Sequence, residues 1–129
     1  MKRFLLPFIS FILYPSILNS GPLDSKKELL ITNESTKQSI ALAKHLREKG
    51  VIKYSAYWCP SCLYQSQLFG KQAYKELNVV ECAPDGKNSQ TQLCLDKEIQ
   101  GFPSWEIDGK IIIGIQTLED LSELTGYKK

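Results

Sequence analysis

Apolar residues recur along the chain at two different spacings, which together predict alternating helices and strands. A first helix is predicted from about residue 35 to residue 49, where Gly50 can end it. The stripe of this helix that would face a core consists of Ser39, Leu42, Ala43 and Leu46. The next segment, residues 51–57 (VIKYSAY), has the β-branched and aromatic composition of a strand.

The middle of the chain predicts a second helix, a second strand and a short third helix. The second helix is expected over about residues 60–77, with Gly70 inside it as a candidate bend. Residues 78–82 (NVVEC) have strand composition. The third helix is expected over residues 89–98, with Ser89 as its N-terminal cap.

The C-terminal part predicts a β-hairpin and a last helix. Asp108-Gly109 between SWEI and KIII is a strong signal for a type I′ hairpin turn. Thr117 and Asp120 resemble a capping box, and the helix that they open is expected to end near Gly126.

This order of elements predicts one α/β domain over residues 35–129. The order is α-β-α-β-α-β-β-α, which favours a small mixed sheet with helices on both faces. Residues 22–34 are polar and mixed, and we interpret them as a linker with a short strand at residues 29–32.

Residues 1–21 have the layout of an export signal. Lys2 and Arg3 precede the uncharged, mainly apolar residues 4–18, and Asn19-Ser20-Gly21 follows them. As a helix, this apolar stretch would span about 22 Å, less than the ~30 Å of a bilayer core. We therefore expect an extracytoplasmic protein, in a periplasm or a thylakoid lumen. An uncleaved membrane anchor and a buried N-terminal element are the alternatives.

Charge and cysteine content narrow the classes of function. Lys2 and Arg3 account for the excess of 16 basic over 14 acidic residues, and the chain has no basic stripe. Nucleic acid is therefore not an expected partner. Four cysteines in an exported chain are compatible with disulfides.

The segment Trp58-Cys59-Pro60-Ser61-Cys62 lies between the predicted first strand and second helix. A C-x-x-C pair can bind zinc, form an inert disulfide or exchange electrons. Zinc is disfavoured because Cys82 and Cys94, the other two cysteines, lack the spacing of a second C-x-x-C pair. No metal is expected. A cysteine at a helix N-terminus is instead suited to thiolate chemistry, because unpaired N–H groups and the helix dipole stabilise its anion.

The strand that leads into W-C-x-x-C at a helix start resembles the active-site region of thioredoxins, as does Pro103 about forty residues later. The segments ALAKHLREKG, AYWCPSC, LFGKQA, VECAPDGKNSQTQLC and IQGFPSWEIDGK are similar to one group in particular. They resemble the thioredoxin-like domain that is fused to bacterial and chloroplast vitamin K epoxide reductase homologues. The fused proteins also have a four-helix membrane domain, whereas this sequence has only the N-terminal apolar segment. We therefore expect a stand-alone version of the domain. They usually have histidine where Ser61 stands.

The resemblance implies a role for each site residue. Cys59 would be the attacking nucleophile and Cys62 the resolving cysteine, supported by neighbouring residues in the motif: Trp58, Pro60 and Ser61. Pro103 would be cis, and Phe102 before it would offer backbone hydrogen bonds to an extended substrate. Cys82 and Cys94 would form a second, structural disulfide; a redox relay is the alternative. No cofactor is expected beyond the Cys59–Cys62 disulfide.

Lys53 stands where thioredoxins carry a buried acid, six residues before the first cysteine. We expect its side chain to point to solvent. If it lay near the site, it would stabilise a thiolate rather than accept a proton. Trp105 is expected to be structural and His45 to be a half-exposed surface residue.

The expected function is that of an exported thiol–disulfide oxidoreductase that uses no cofactor other than its own cysteines. By the resemblance, it would pass electrons from exported protein thiols to a membrane, quinone-linked reductase of the vitamin K epoxide reductase type, as a monomer. An extracytoplasmic disulfide reductase, as in cytochrome c maturation, and a non-catalytic adaptor or metallochaperone are the alternatives. The direction of electron flow depends on the potential of the pair relative to its partner.

Overall fold

A computed structural model describes residues 30–128 of the 129-residue chain. The expected export signal and the first part of the linker lie outside these residues. The elements are α1 (Lys37–Glu48), β1 (Ile52–Ser55), α2 (Pro60–Phe69), α3 (Lys71–Tyr74), β2 (Asn78–Glu81), α4 (Thr91–Asp96), β3 (Ser104–Ile107), β4 (Lys110–Ile113) and α5 (Leu118–Leu124).

Four strands form one mixed sheet in the order β2-β1-β3-β4. Strand β1 pairs parallel with β2, with Ser55 opposite Glu81, and antiparallel with β3, with Lys53 opposite Trp105. Strands β3 and β4 form the predicted hairpin. Its turn residues Asp108 and Gly109 both have positive φ, at 50° and 76°, as a type I′ turn requires.

Helices cover both faces of this sheet, because side chains alternate along each strand. On one face, Trp105 and Ile107 pack against residues of α1, α2, α3 and α5. On the other face, Tyr54 and Val80 pack against Cys94 of α4. The predicted fold class, α/β with a small mixed sheet and helices on both faces, is confirmed.

Helices α1 and α5 begin as the sequence indicates. The stripe predicted to face the core of α1 is buried along its whole length: Ser39, Leu42, Ala43 and Leu46. Thr117 and Asp120 form the predicted capping box at the start of α5. These two matches show that the local pattern was sufficient at both ends of the domain.

The predicted second helix is divided into α2 and α3 at Gly70, the position expected to bend. Gly70 has a φ of 86°, and a Cβ there would lie 2.6 Å from the backbone nitrogen of Ser35. The close approach of the 30–36 segment therefore explains why a glycine separates the two helices.

Two local predictions were wrong. Residues 30–32 form no strand, since the N–H groups of Thr32 and Asn33 donate to the side-chain oxygen of Gln67 instead of to a strand. Ser89 does not cap α4, whose N-cap is Gln90 without a side-chain cap. The Ser89 hydroxyl is instead hydrogen-bonded to the Thr91 hydroxyl at 2.8 Å.

A disulfide joins Cys82, just after β2, to Cys94 in α4, with Cα atoms 5.8 Å apart. Both cysteines are buried in the core on the α4 face of the sheet. The bond therefore ties the short α4 to the edge of the sheet. Between residues 30 and 128, no helix is long and apolar enough to cross a membrane.

Candidate active site

Cys59 is the N-cap of α2, where the chain turns from β1 into the helix. Its Sγ accepts a hydrogen bond from the backbone N–H of Cys62 at 3.2 Å. This N–H is one of the donors that a helix N-terminus leaves unpaired. Pro60 occupies the first helical turn, where a missing N–H removes no helical hydrogen bond. The local sequence therefore places a sulfur atom at a position that stabilises an anion.

Cys59 and Cys62 are free thiols that belong to one buried cluster. Phe102 packs against this cluster, and its carbonyl oxygen accepts a weak hydrogen bond from Cys59 Sγ at 3.8 Å. The Phe102–Pro103 peptide bond is cis. The fold thus brings the segment before β3 next to a pair of cysteines that lie about forty residues earlier in the chain.

The two tryptophans occupy different environments. Trp58 is 55% exposed and makes an edge-to-face contact with Phe102, with ring centroids 6.3 Å apart. Trp105 is 1% exposed, and its indole N–H donates to Gln65 at 3.1 Å. Trp105 is therefore structural, as predicted, while Trp58 provides apolar surface beside the cysteines.

Pro60 and Ser61 are exposed, so two residues of the motif face solvent between the cysteines. His45, by contrast, is partly buried between α1 and the C-terminal residues. Its Nε2 lies 3.1 Å from the Thr125 carbonyl oxygen, and its ring packs on Tyr127. The histidine therefore has a structural role, away from the cysteines.

The Cys62 thiol is harder to ionise than an ordinary cysteine. Burial raises the pKa of its thiol to about 11, and a hydrogen bond with Cys59 acts in the same direction. Hydrogen bonds from Ser55 and the backbone of Ala56, together with the charge of Lys53, oppose this increase. The Cys62 thiol is therefore shielded from solvent and mostly protonated at neutral pH.

Lys53 does not point to solvent, and the prediction for this residue was wrong. Its side chain is among the most buried in the described part of the chain, at 1% exposure. The Nζ atom donates to Ser66 Oγ at 2.8 Å and to the Cys62 carbonyl oxygen at 3.2 Å. It also lies 5.4 Å from the centre of the Tyr74 ring.

The strand pattern contained a signal for this burial. Lys53 and Ser55 alternate onto the same face of β1, and this face is covered by α2 and α3. Burial lowers the pKa of the Lys53 ammonium to about 8, while its attraction to Cys62, Cys59 and Glu81 acts in the opposite direction. The fold therefore places a titratable cation beneath the cysteine pair.

A cleft of about 280 Å³ opens beside the two thiols. Sequence reasoning did not identify several polar residues in its wall: Ser55, Ser66 and Glu81. Glu81 Oε1 accepts hydrogen bonds from the N–H groups of Tyr57 at 3.2 Å and Ala83 at 3.0 Å. The carboxylate is thus held in place at the end of β2. Within residues 30–128, no group of histidine, cysteine and acidic side chains could hold a metal ion.

The fold and the site together define a thioredoxin-like protein with a dithiol at a helix N-terminus. No protein-family model matches the chain. The chain is similar to the thiol-disulfide oxidoreductase LTO1 of Arabidopsis thaliana, with 46% identity over 100 residues. The alignment covers 75% of this chain and 27% of that protein, so the chain spans about a quarter of the relative's length.

Proposed function

We propose that the protein is an exported thiol–disulfide oxidoreductase that oxidises the thiols of other exported proteins. One observation carries the proposal: Cys59 Sγ lies at the α2 N-terminus and accepts the Cys62 N–H at 3.2 Å. This arrangement stabilises a Cys59 thiolate, which is both a nucleophile and a good leaving group. The redox group would be the Cys59–Cys62 disulfide itself.

The proposed reaction begins with a substrate thiolate that attacks Cys59 Sγ in the disulfide form. The Cys59–Cys62 bond breaks, a mixed disulfide forms, and Cys62 leaves as a thiolate. A second substrate thiol then loses its proton and attacks the substrate sulfur in the mixed disulfide. Cys59 leaves as a thiolate, the substrate has lost two electrons, and the pair is reduced.

Two features support export. The first is the positively charged and then apolar sequence of residues 1–21. The second is the buried Cys82–Cys94 disulfide, because such bonds persist mainly in oxidising compartments. We place the protein in a periplasm or a thylakoid lumen, either free or tethered by its N-terminal segment.

We further propose that a membrane protein of the vitamin K epoxide reductase type reoxidises the pair. The support is the similarity of several segments to the domains that are fused to such reductases, with AYWCPSC foremost among them. The partner would take two electrons from the Cys59–Cys62 dithiol and pass them to a quinone. Reconstitution of the domain with such a reductase and a quinone would test this, since the dithiol should be reoxidised only when all components are present.

The activity is tested with the purified domain in two assays, oxidation of a reduced protein and reduction of insulin. The variant with both Cys59→Ser and Cys62→Ser is the matched control and should be inactive in both. Turnover by the wild type in either assay supports an oxidoreductase. No turnover in either direction would instead indicate a binding module.

The direction of electron flow is tested by trapping the thiols in cells with an alkylating reagent. A pair that is mostly oxidised supports the proposed oxidase. A pair that is mostly reduced would contradict it and indicate a disulfide reductase.

A further inference from the structure

We propose that Lys53 sets the reduction potential of the Cys59–Cys62 pair by providing a buried positive charge that stabilises its thiolate form. Lys53 is a positioning residue in this proposal, because it acts through its charge and not by contact with substrate. The inference rests on the proposed redox function and assigns the control of that function to a residue outside the motif.

The anchoring of Lys53 is specific. Its Nζ donates to the Ser66 hydroxyl and to the Cys62 carbonyl oxygen, both on α2 and both in the first two turns. The amine is thus held under the helix whose N-terminus carries the two sulfur atoms. The Tyr74 ring of α3 covers it from another side, at 5.4 Å.

The direct hydrogen-bond partners of Lys53 carry no charge. A hydroxyl and a carbonyl oxygen are neutral, and within residues 30–128 no carboxylate forms an ion pair with Lys53. A buried cation is costly unless an anion is nearby. The structure places the cysteine pair where its thiolate can be that anion.

Charged and titratable groups approach Lys53 from three directions. The α2 N-terminus contributes Cys59 and Cys62, and β2 contributes Glu81, all of which attract the ammonium. The remaining groups lie on α3 or in the loop before α2, where they contact Lys53 or line the adjacent cleft: Tyr57, Lys71, Tyr74 and Lys75. Lys71 forms an exposed ion pair with Glu34, and Lys75 is exposed, so water screens both lysines.

Stabilisation of a thiolate favours the dithiol over the disulfide. When a substrate thiolate attacks Cys59, Cys62 leaves with the electron pair of the broken bond, next to Lys53. Cys62 then takes up a proton, because its pKa is about 11, and the second step leaves the negative charge on Cys59. The Lys53 ammonium attracts that charge and lowers the free energy of the reduced pair, so the disulfide becomes a stronger oxidant. Ser61 has no charge, and the buried lysine would supply the cation that the motif itself lacks.

The test is the equilibrium between the pair and a glutathione buffer, measured for the wild type and Lys53→Met. At pH 7 we expect the equilibrium constant for disulfide formation to increase about tenfold in K53M. This corresponds to a potential lower by about 30 mV for a two-electron couple. In the same variant, the pKa at which the reduced pair forms its thiolate should rise, as measured by ultraviolet absorbance. The difference in the equilibrium constant should shrink as the pH rises above about 8, where wild-type Lys53 loses its proton.

Lys75→Met is the matched control, because it removes the same charge from the exposed rim of the same cleft. It should change the equilibrium constant less than twofold. K53M should fold, since methionine has a similar shape and Ser66 still donates to the Cys62 carbonyl at 2.8 Å. Lys53→Gln is a second neutral variant that keeps a polar group at the site, and it should shift the equilibrium in the same direction as K53M.

Equal equilibrium constants for K53M and K75M would overturn the inference, as would a Lys53→Gln variant that behaves like the wild type. Either result leaves the proposed function intact if the wild-type pair still forms its disulfide reversibly. A wild-type pair that forms no disulfide in the buffer would overturn both proposals.

Discussion

Cys59 and Cys62 are three residues apart, yet the helix gives them unequal environments. Cys59 caps α2 and lies beside the exposed Trp58, while Cys62 is inside the first turn, above Lys53. A substrate that docks on the Trp58 side reaches Cys59 first. This difference supports the order of attack that the sequence predicts, with Cys59 as nucleophile and Cys62 as the resolving residue.

Single substitutions should separate these two roles. We expect Cys62→Ser to accumulate a mixed disulfide with a disulfide-containing peptide, because Cys59 attacks and nothing resolves the product. Cys59→Ser should form at least tenfold less of this mixed disulfide, since its remaining thiol, that of Cys62, is buried and has a pKa of about 11. Mass spectrometry of the trapped species measures both. Equal trapping by the two variants would contradict the assignment.

Ser61 is the exposed position where a second charge can be added. We expect Ser61→His to raise the reduction potential of the pair, because an imidazolium next to the cysteines stabilises the thiolate and therefore the reduced form. Titration against glutathione measures the change, with Ser61→Ala as the neutral control. An unchanged or lower potential in S61H would show that the charge does not reach the sulfur atoms.

At the scale of elements, the break between α2 and α3 depends on the segment that precedes α1. Gln67 and Gln72, one on each side of the break, bind the backbone N–H groups of Thr32, Asn33 and Ser35. Gly70 allows this segment to approach closely. The division of the helix is therefore a consequence of packing, which the glycine permits.

We expect Gly70→Ala to lower the free energy of unfolding by about 2–4 kcal/mol, since a positive φ and overpacking both contribute. Its Cβ would lie 2.6 Å from the Ser35 nitrogen, where backbone atoms cannot easily move. Gly50→Ala is the control, because Gly50 also has a positive φ but no atom within 4 Å of an added Cβ. It should cost about 1–2 kcal/mol. Urea denaturation compares them, and equal losses would show that packing at Gly70 is unimportant.

Turns and caps were the elements that local sequence predicted best. Asp108-Gly109 and the Thr117–Asp120 pair form the expected structures because their hydrogen bonds and dihedral angles involve neighbours in the chain. The failed cap at Ser89 shows the limit of such reasoning. Its hydroxyl is hydrogen-bonded to that of Thr91, which in turn donates to the carbonyl oxygen of Cys82, just after β2.

At the scale of the whole molecule, the Cys82–Cys94 disulfide joins the end of β2 to α4, the helix on the other face of the sheet from α1. The bond closes a loop with a sequence separation of 12. We expect the double variant with Cys82→Ala and Cys94→Ala to lose about 3 kcal/mol of stability in the loop-entropy model. Denaturation of the wild type and the variant measures the loss.

The same variant distinguishes a structural bond from a redox relay. If the bond is structural, the folded variant keeps the activity of the Cys59–Cys62 pair. A variant that is folded but inactive with protein substrates would indicate that Cys82 and Cys94 carry electrons.

The sequence by itself determined the α/β class, the hairpin, the helix start at Pro60 and the position of the C-x-x-C pair, because these depend on local spacing and turn chemistry. Only the tertiary structure decided what surrounds the sulfur atoms. Lys53 reaches the pair from β1 and Phe102 from the segment before β3, while Glu81 lines the same cleft from the end of β2. A lysine in a strand is usually expected to be exposed. Its burial here is decided by the packing of α2 and α3 on that face of the sheet, which the composition of the strand does not show.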